Sequence, residues 1–360
     1  MWDSSNPYSL YFRIIQFALN PKAVSIPEVT GLDWRSLYEF SSGQALTGVV
    51  FEAVEKLNDK RIDKTLLLNW FAESEQIKRR NVDLNNQCIR VIDEFKTAGF
   101  DCCILKGQGN ALLYPDFYKR SPGDIDIWIK DANRQQLLDY LKDKGKNLIG
   151  MHYQHIEYVD NGIPIELHLM PCSDNNPIYH HRLQKWFKDN SKDNWVNWVK
   201  LPDGVGNVSI PTTQFNIIYQ LAHMQGHFFD EGIGLRQMTD YYLLLKSIDL
   251  PNDRKDIYEK TLHYLGLYKF AGAVMFVMRE VYALERSYMI APVDERRGKS
   301  LMEVILKGGN FGRESGITNY NKFTKFFVKT KRSIGFVVDY PAEALCEPFF
   351  RTWHYIWRLV

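Results

Sequence analysis

Apolar residues recur at intervals of three and four through most of the first 98 positions, the period of one helix face. The longest such run extends from Leu66 to Phe95, with Glu73, Glu75, Lys78, Arg79, Arg80, Asp83 and Arg90 between the apolar positions. Gly99 follows as a stop signal. Between 100 and 170 the period shortens. Phe100-Asp101-Cys102-Cys103-Ile104-Leu105 reads as a buried strand, Lys106-Gly107-Gln108-Gly109 breaks it, and Asn110 to Tyr114 opens a helix. After the turn Arg120-Ser121-Pro122-Gly123, residues 124–129 alternate strictly. Ile125, Ile127 and Ile129 share one face, and Asp124, Asp126 and Trp128 share the other. A helix is expected from Asn133 to about Lys144.

The next pattern is a hairpin. Residues 152–159 and 163–169 both alternate, and Asn161-Gly162 between them is the strongest short-range hairpin signal. A two-residue turn pairs Asp160 with Ile163 and so fixes the register. Tyr158 then faces Ile165, Glu157 faces Glu166, Ile156 faces Leu167 and His155 faces His168. Two opposed glutamates repel, so this register calls for a cation between them, and the alternative is a bulge. Residues 171–210 are polar and dotted with tryptophan, a linker or excursion. Helical periodicity returns after Pro211-Thr212-Thr213, where a threonine can cap. The expected organisation is a helical region at 1–98, an α/β core at 99–170, the excursion at 171–210 and a second helical region at 211–360, an α+β fold.

Composition narrows the function classes. With 360 residues the chain has room for two or three domains. Its 45 basic and 43 acidic side chains leave a net charge of +2, which does not indicate a nucleic-acid-coating surface. Five scattered cysteines without a C-x-x-C pair support neither a zinc site nor a disulfide framework. The segment Leu10–Leu19 is interrupted by Arg13 and Gln16, and is not read as a secretory signal. Phe270–Met278 falls short of the ~20 apolar residues a membrane span needs. A cytoplasmic location is expected. The run from Asn321 to Arg332 carries Lys322, Lys325, Lys329, Lys331 and Arg332 among phenylalanines, a pattern compatible with peripheral membrane contact, with a nucleic acid or with a solvated helix face.

The candidate chemistry lies in the middle region. Asp124 and Asp126 are two apart on one strand face, with Cα atoms about 6.6 Å apart. If the strand of Glu166 is their neighbour, a third carboxylate stands across a spacing of about 4.8 Å. Such a wall beside a glycine-containing turn suits Mg²⁺ and a nucleotide, because Mg²⁺ takes oxygen ligands from one or two carboxylates together with phosphates and water. The competing reading is a polar strand face turned to water. Lys106 is a cation at a turn opening a helix, a position suited to anions. Arg120 suits either triphosphate or an aspartate partner, and His168 shares the face of Glu166. Arg236 and Asp240 stand one helical turn apart after Gly232-x-Gly234, where an intrahelical ion pair competes with a place in a cleft. His223 and His227 are also i and i+4, in a context more typical of core or capping histidines.

Leu105-Lys106-Gly107, Leu113-Tyr114-Pro115, Arg120, Gly123-Asp124-Ile125-Asp126-Ile127 and Ile165-Glu166-Leu167-His168, in that order, resemble the nucleotidyltransferase superfamily. More narrowly, the chain is similar to the bacterial "family 5" nucleotidyltransferase-like proteins, a likeness continued by His223, His227 and residues 232–241. The resemblance implies a mixed sheet with flanking helices, and transfer of a nucleotidyl group from an NTP to an acceptor with pyrophosphate leaving. It implies Asp124 and Asp126 as ligands of Mg²⁺ or Mn²⁺, and Glu166 as the third acid at the metal and acceptor. Lys106 and Gly107 would contact phosphate. The wider superfamily has Gly-Ser where this chain has Lys106-Gly107. A non-catalytic nucleotide- or partner-binding protein of the same fold is the alternative.

Overall fold

The period-two runs pair into one five-stranded sheet: β1 (Cys102–Leu105), β2 (Ile125–Ile129), β3 (Asn147–Met151), β4 (His155–Asp160) and β5 (Ile163–His168), in the order β1-β2-β5-β4-β3. β2 and β5 run parallel and every other pair is antiparallel, so the sheet is mixed. In the computed structural model, residues 7–25, 27–248, 252–310 and 322–357 are described, with 252–254 and 322–328 as backbone only. The β4–β5 hairpin has the register its turn requires, Asp160 opposite Ile163 and His155 opposite His168. Asn161 and Gly162 take φ of 51° and 75°, the left-handed pair that matches the twist of the flanking strands.

Helices make up most of the rest: α1 (Ser9–Leu19), α2 (Trp34–Gly43), α3 (Thr47–Leu57), α4 (Lys64–Thr97), α5 (Gly107–Ala111), α6 (Arg134–Asp143), α7 (Pro177–Asn190), α8 (Thr213–Asp230), α9 (Leu235–Lys246), α10 (Asn252–Tyr264), α11 (Tyr268–Tyr282), α12 (Glu295–Gly308), α13 (Lys322–Gly335) and α14 (Pro341–Trp357). The excursion at 171–210 carries α7 and a small ribbon of β6 (Trp198–Lys200) and β7 (Asn207–Ser209). Two compact units interleave along the chain: Met1–Arg80, Leu113–Ser121 and His227–Lys329 form the first, and Asn81–Leu112, Pro122–Gly226 and Thr330–Val360 the second.

In the first unit α11 is the central element. Its apolar run, too short to span a bilayer, is buried against α1, α9, α10 and α12. Among the described residues no helix is long and apolar enough to cross a membrane. The second unit packs one face of the sheet, with Ile125, Ile127, Ile129, Ile156, Tyr158, Ile165 and Leu167, against Leu84, Cys88, Val91, Ile92 and Phe95 of α4 and Leu137 and Leu141 of α6. That burial anchors the sheet and turns its other face, bearing the alternate residues, toward the chemistry.

Candidate functional site

The register sorts the polar face into two rows. Asp126, Glu166 and Glu157 lie directly abreast on β2, β5 and β4, with Gly150 of β3 at the end of the row. Trp128, His168 and His155 form the next row. Like charges abreast are unfavourable, and the imidazoles answer this by reaching between them. His168 Nε2 lies 3.0 Å from Asp126 Oδ1 and 3.2 Å from Glu166 Oε2. His155 Nδ1 lies 3.7 Å from Glu166 Oε2, while its Nε2 is 2.9 Å from Glu157 Oε1. Of the two resolutions open to opposed glutamates, the β4–β5 register is kept and the His155 imidazole stands between them.

Lys106 adds a cation from the turn after β1. Its backbone has φ 51° and ψ −132°, a conformation that costs a non-glycine residue on the order of 1–3 kcal/mol. Its Nζ lies 2.9 Å from Asp126 Oδ1 and 3.0 Å from His223 Nε2. Burial opposes charge on Lys106, but Asp126, Asp124 and Glu166 outweigh it and raise its pKa. Asp126, only 4% exposed, would also be raised by burial, yet Lys106 and His168 hold it well below the usual carboxylate range. His168 is 1% exposed; burial disfavours its charge, and the bonds to Asp126 and Glu166 reverse this and bring it to about 9. Glu166 is likewise lowered: burial opposes its charge, and His168 prevails.

Asp124 sits just before β2 at a position that keeps contact with solvent, its carboxyl partly desolvated by its neighbours. One oxygen from each of Asp124, Asp126 and Glu166 can be chosen so that all three lie within 4.8 Å of one another. The set is all oxygen and drawn from neighbouring strands, the donor chemistry of a hard divalent cation. Three acids face two close cations, Lys106 and His168. The excess negative charge registers on Asp124, whose pKa is pushed up to about 6 by Asp126 first, then by burial and Glu166, against Lys106. A divalent cation is what such a deficit accommodates. The residues present therefore fit Mg²⁺ or Mn²⁺.

Of the remaining sequence candidates, Arg120, His227, Arg236 and Asp240 lie in the first unit. Arg120 donates from Nε and Nη2 to the two oxygens of Asp240, at 2.9 and 2.8 Å, in a buried bidentate pair that Tyr114 completes through its hydroxyl at 2.7 Å. Asp240 thus pairs directly with Arg120, whose guanidinium fork matches its carboxylate. Arg236 donates to the Ser121 carbonyl at 3.4 Å. His227 lies 3.9 Å from Glu231. Trp128 packs against Trp195 and Phe215, with ring centroids 4.6 and 5.5 Å away. The basic run 321–332 falls largely on α13, where position 321 and the side chains of 322–328 lie outside the described residues. Sequence reasoning did not place His223 beside Lys106, since a separation of 117 residues leaves no local signal. His152, His155 and Glu157 were also missed as a group, although the opposition of Glu157 and Glu166 pointed there.

The sequence model of a family described as "Uncharacterised nucleotidyltransferase" matches residues 30–283. Among solved structures, the chain is similar to an antigenic nucleotidyltransferase-like protein from Paracoccidioides brasiliensis, at 12% identity and a TM-score of 0.37, covering 59% of this chain and 95% of that one. A search of curated proteins gives no match.

Proposed function

Because this chain belongs to that uncharacterised nucleotidyltransferase family, we propose that it transfers a nucleotidyl group from an NTP to an acceptor, using a divalent metal. The single observation supporting this is the convergence of Asp126 on β2, Asp124 just before it and Glu166 on the adjacent parallel β5. These three would hold Mg²⁺ or Mn²⁺, which supplies positive charge against the phosphate oxygens and the departing pyrophosphate. Glu166 would also orient the acceptor and take its proton as its nucleophilic atom bonds to the α-phosphorus and the bond to pyrophosphate breaks. Lys106 and His168, charged beside the carboxylates, supply fixed cations for phosphate. The strained backbone at Lys106 aims that charge in advance of substrate.

A second reading has its own observation. Asp126 Oδ1 is already engaged by Lys106 and His168, a neutralisation that also suits a protein binding nucleotide without turning it over. Calorimetry of NTP binding with and without Mg²⁺ separates the two, repeated on the Asp124→Ala/Asp126→Ala variant. Transfer chemistry expects binding that needs Mg²⁺ and is lost in the variant. Metal-independent binding untouched by the double substitution supports the second reading. Incubation of the protein with each α-labelled NTP and a lysate of the source cells then identifies the acceptor, and absence of labelled product from every nucleotide counts against transfer.

A further inference from the structure

We propose that His152, His155 and Glu157 form a second cation site, for a zinc-class first-row transition ion, beside the carboxylate triad and joined to it through His155. The turn between β3 and β4 builds the site. His152 N–H donates to the His155 carbonyl at 2.9 Å, closing a tight loop that brings the two rings together, their centroids 4.7 Å apart. Arg134 Nη2 clamps that loop by donating to the carbonyls of His152 and Tyr153, at 2.9 and 2.6 Å, and Tyr153 N–H donates to His354 Nε2 at 3.2 Å. The loop is thus held from two sides.

Within it, His152 Nε2 and His155 Nε2 converge on one oxygen, Glu157 Oε1, at 3.0 and 2.9 Å. Donors bound at about 2.0–2.1 Å in a tetrahedral site stand roughly 3.3 Å apart, so two of these separations need open by only a few tenths of an ångström. Two imidazoles and one carboxylate select a zinc-class ion over Mg²⁺, which favours an all-oxygen shell. The side chain of His152 is 35% exposed, leaving solvent access for a fourth ligand.

Two independent features point to a ligand. His155 is 8% exposed, and its Nδ1 is buried with no hydrogen-bond partner although it faces Glu166 Oε2 at 3.7 Å. With Nε2 on a metal, the ring proton must reside on Nδ1 and point at Glu166, the carboxylate–histidine–metal arrangement that orients metal ligands. The orphaned atom then gains its partner. The second feature is Gly150, which pairs with Glu157 across β3 and β4. A Cβ at position 150 would collide with the Glu157 carboxylate, meeting its Cδ at 2.8 Å. The bare backbone there is the space into which Glu157 turns.

The test is a titration of the full-length chain, freed of metal by chelator, with Co²⁺ read by visible absorption and with Zn²⁺ read by calorimetry. One equivalent is expected to bind with the intense spectrum of a four-coordinate ion. His152→Ala, His155→Ala and Glu157→Gln should each weaken binding by at least about ten-fold. Gly150→Ala, which keeps every ligand residue but crowds the Glu157 carboxylate, should weaken it as well. Asp124→Asn should leave it intact. His152 is partly exposed, so its variant remains informative even if the buried His155 variant unfolds. A titration without a saturable step, or an affinity that survives His152→Ala, overturns the proposal and leaves the three side chains as an ion-paired cluster. No nucleotide enters the experiment, so its failure is separable from failure of the transfer reading.

Discussion

Asp124 and Asp126 occupy alternate positions of one segment and differ sharply in proton affinity. Asp126 lies under Lys106 and His168 and stays ionised far into acid, whereas Asp124, facing its charged neighbour, holds its proton to about pH 6. A metal ion must displace that proton, so the sign is fixed: affinity rises with pH. Mg²⁺ affinity, measured by calorimetry on metal alone, should rise by about ten-fold per pH unit below pH 6 and level off above it. Asp124→Asn should flatten that slope, and a slope unchanged in the variant would assign the proton elsewhere. At this scale the sequence was informative about which residues share a face. Strict alternation placed Asp126 with Trp128, and the hairpin register placed Glu166 opposite Glu157. It singled out Lys106 as a cation at a turn but not its pairing with Asp126, a reach that depends on a positive φ that no lysine prefers.

The hairpin of β4 and β5 illustrates how an element transmits a local rule. Its two-residue turn sets the register, and the register sets the rows of acids and imidazoles. Gly162 has no atom near the place a Cβ would take, so Gly162→Ala tests backbone conformation alone. With φ of 75°, the substitution should cost about 1 kcal/mol or slightly more in a urea titration and should leave Mg²⁺ affinity unchanged. A loss of Mg²⁺ binding would mean that the turn, and not only the strands, positions Glu166. β3 was not legible beforehand. Its residues Leu148, Ile149 and Met151 are exposed, so burial had imposed no alternation for the sequence to display. Long helices such as α4 were legible because they bury one stripe, and the period follows from that.

At the scale of the molecule, the two units interleave, and pairs of distant residues hold each together. Arg120 and Asp240, 120 positions apart, form a buried bidentate pair in the first unit. Removing one partner strands the other charge, so Asp240→Asn should lower unfolding stability by about 3–5 kcal/mol in chemical denaturation. A loss below about 1 kcal/mol, as for an exposed pair, would contradict this. The sequence named both residues but not their union, because no period links positions so far apart. The same discontinuity governs how the chain is made. α1 buries Phe12, Ile14, Ile15 and Phe17 and is tied to α11, where Gln16 donates to the Val281 carbonyl across 265 residues. At roughly 5–20 residues per second of synthesis, that partner emerges tens of seconds after α1 has left the ribosome. The face that α1 turns to α11 therefore stays uncovered until that late helix is made, while α3, made early, already packs against α1.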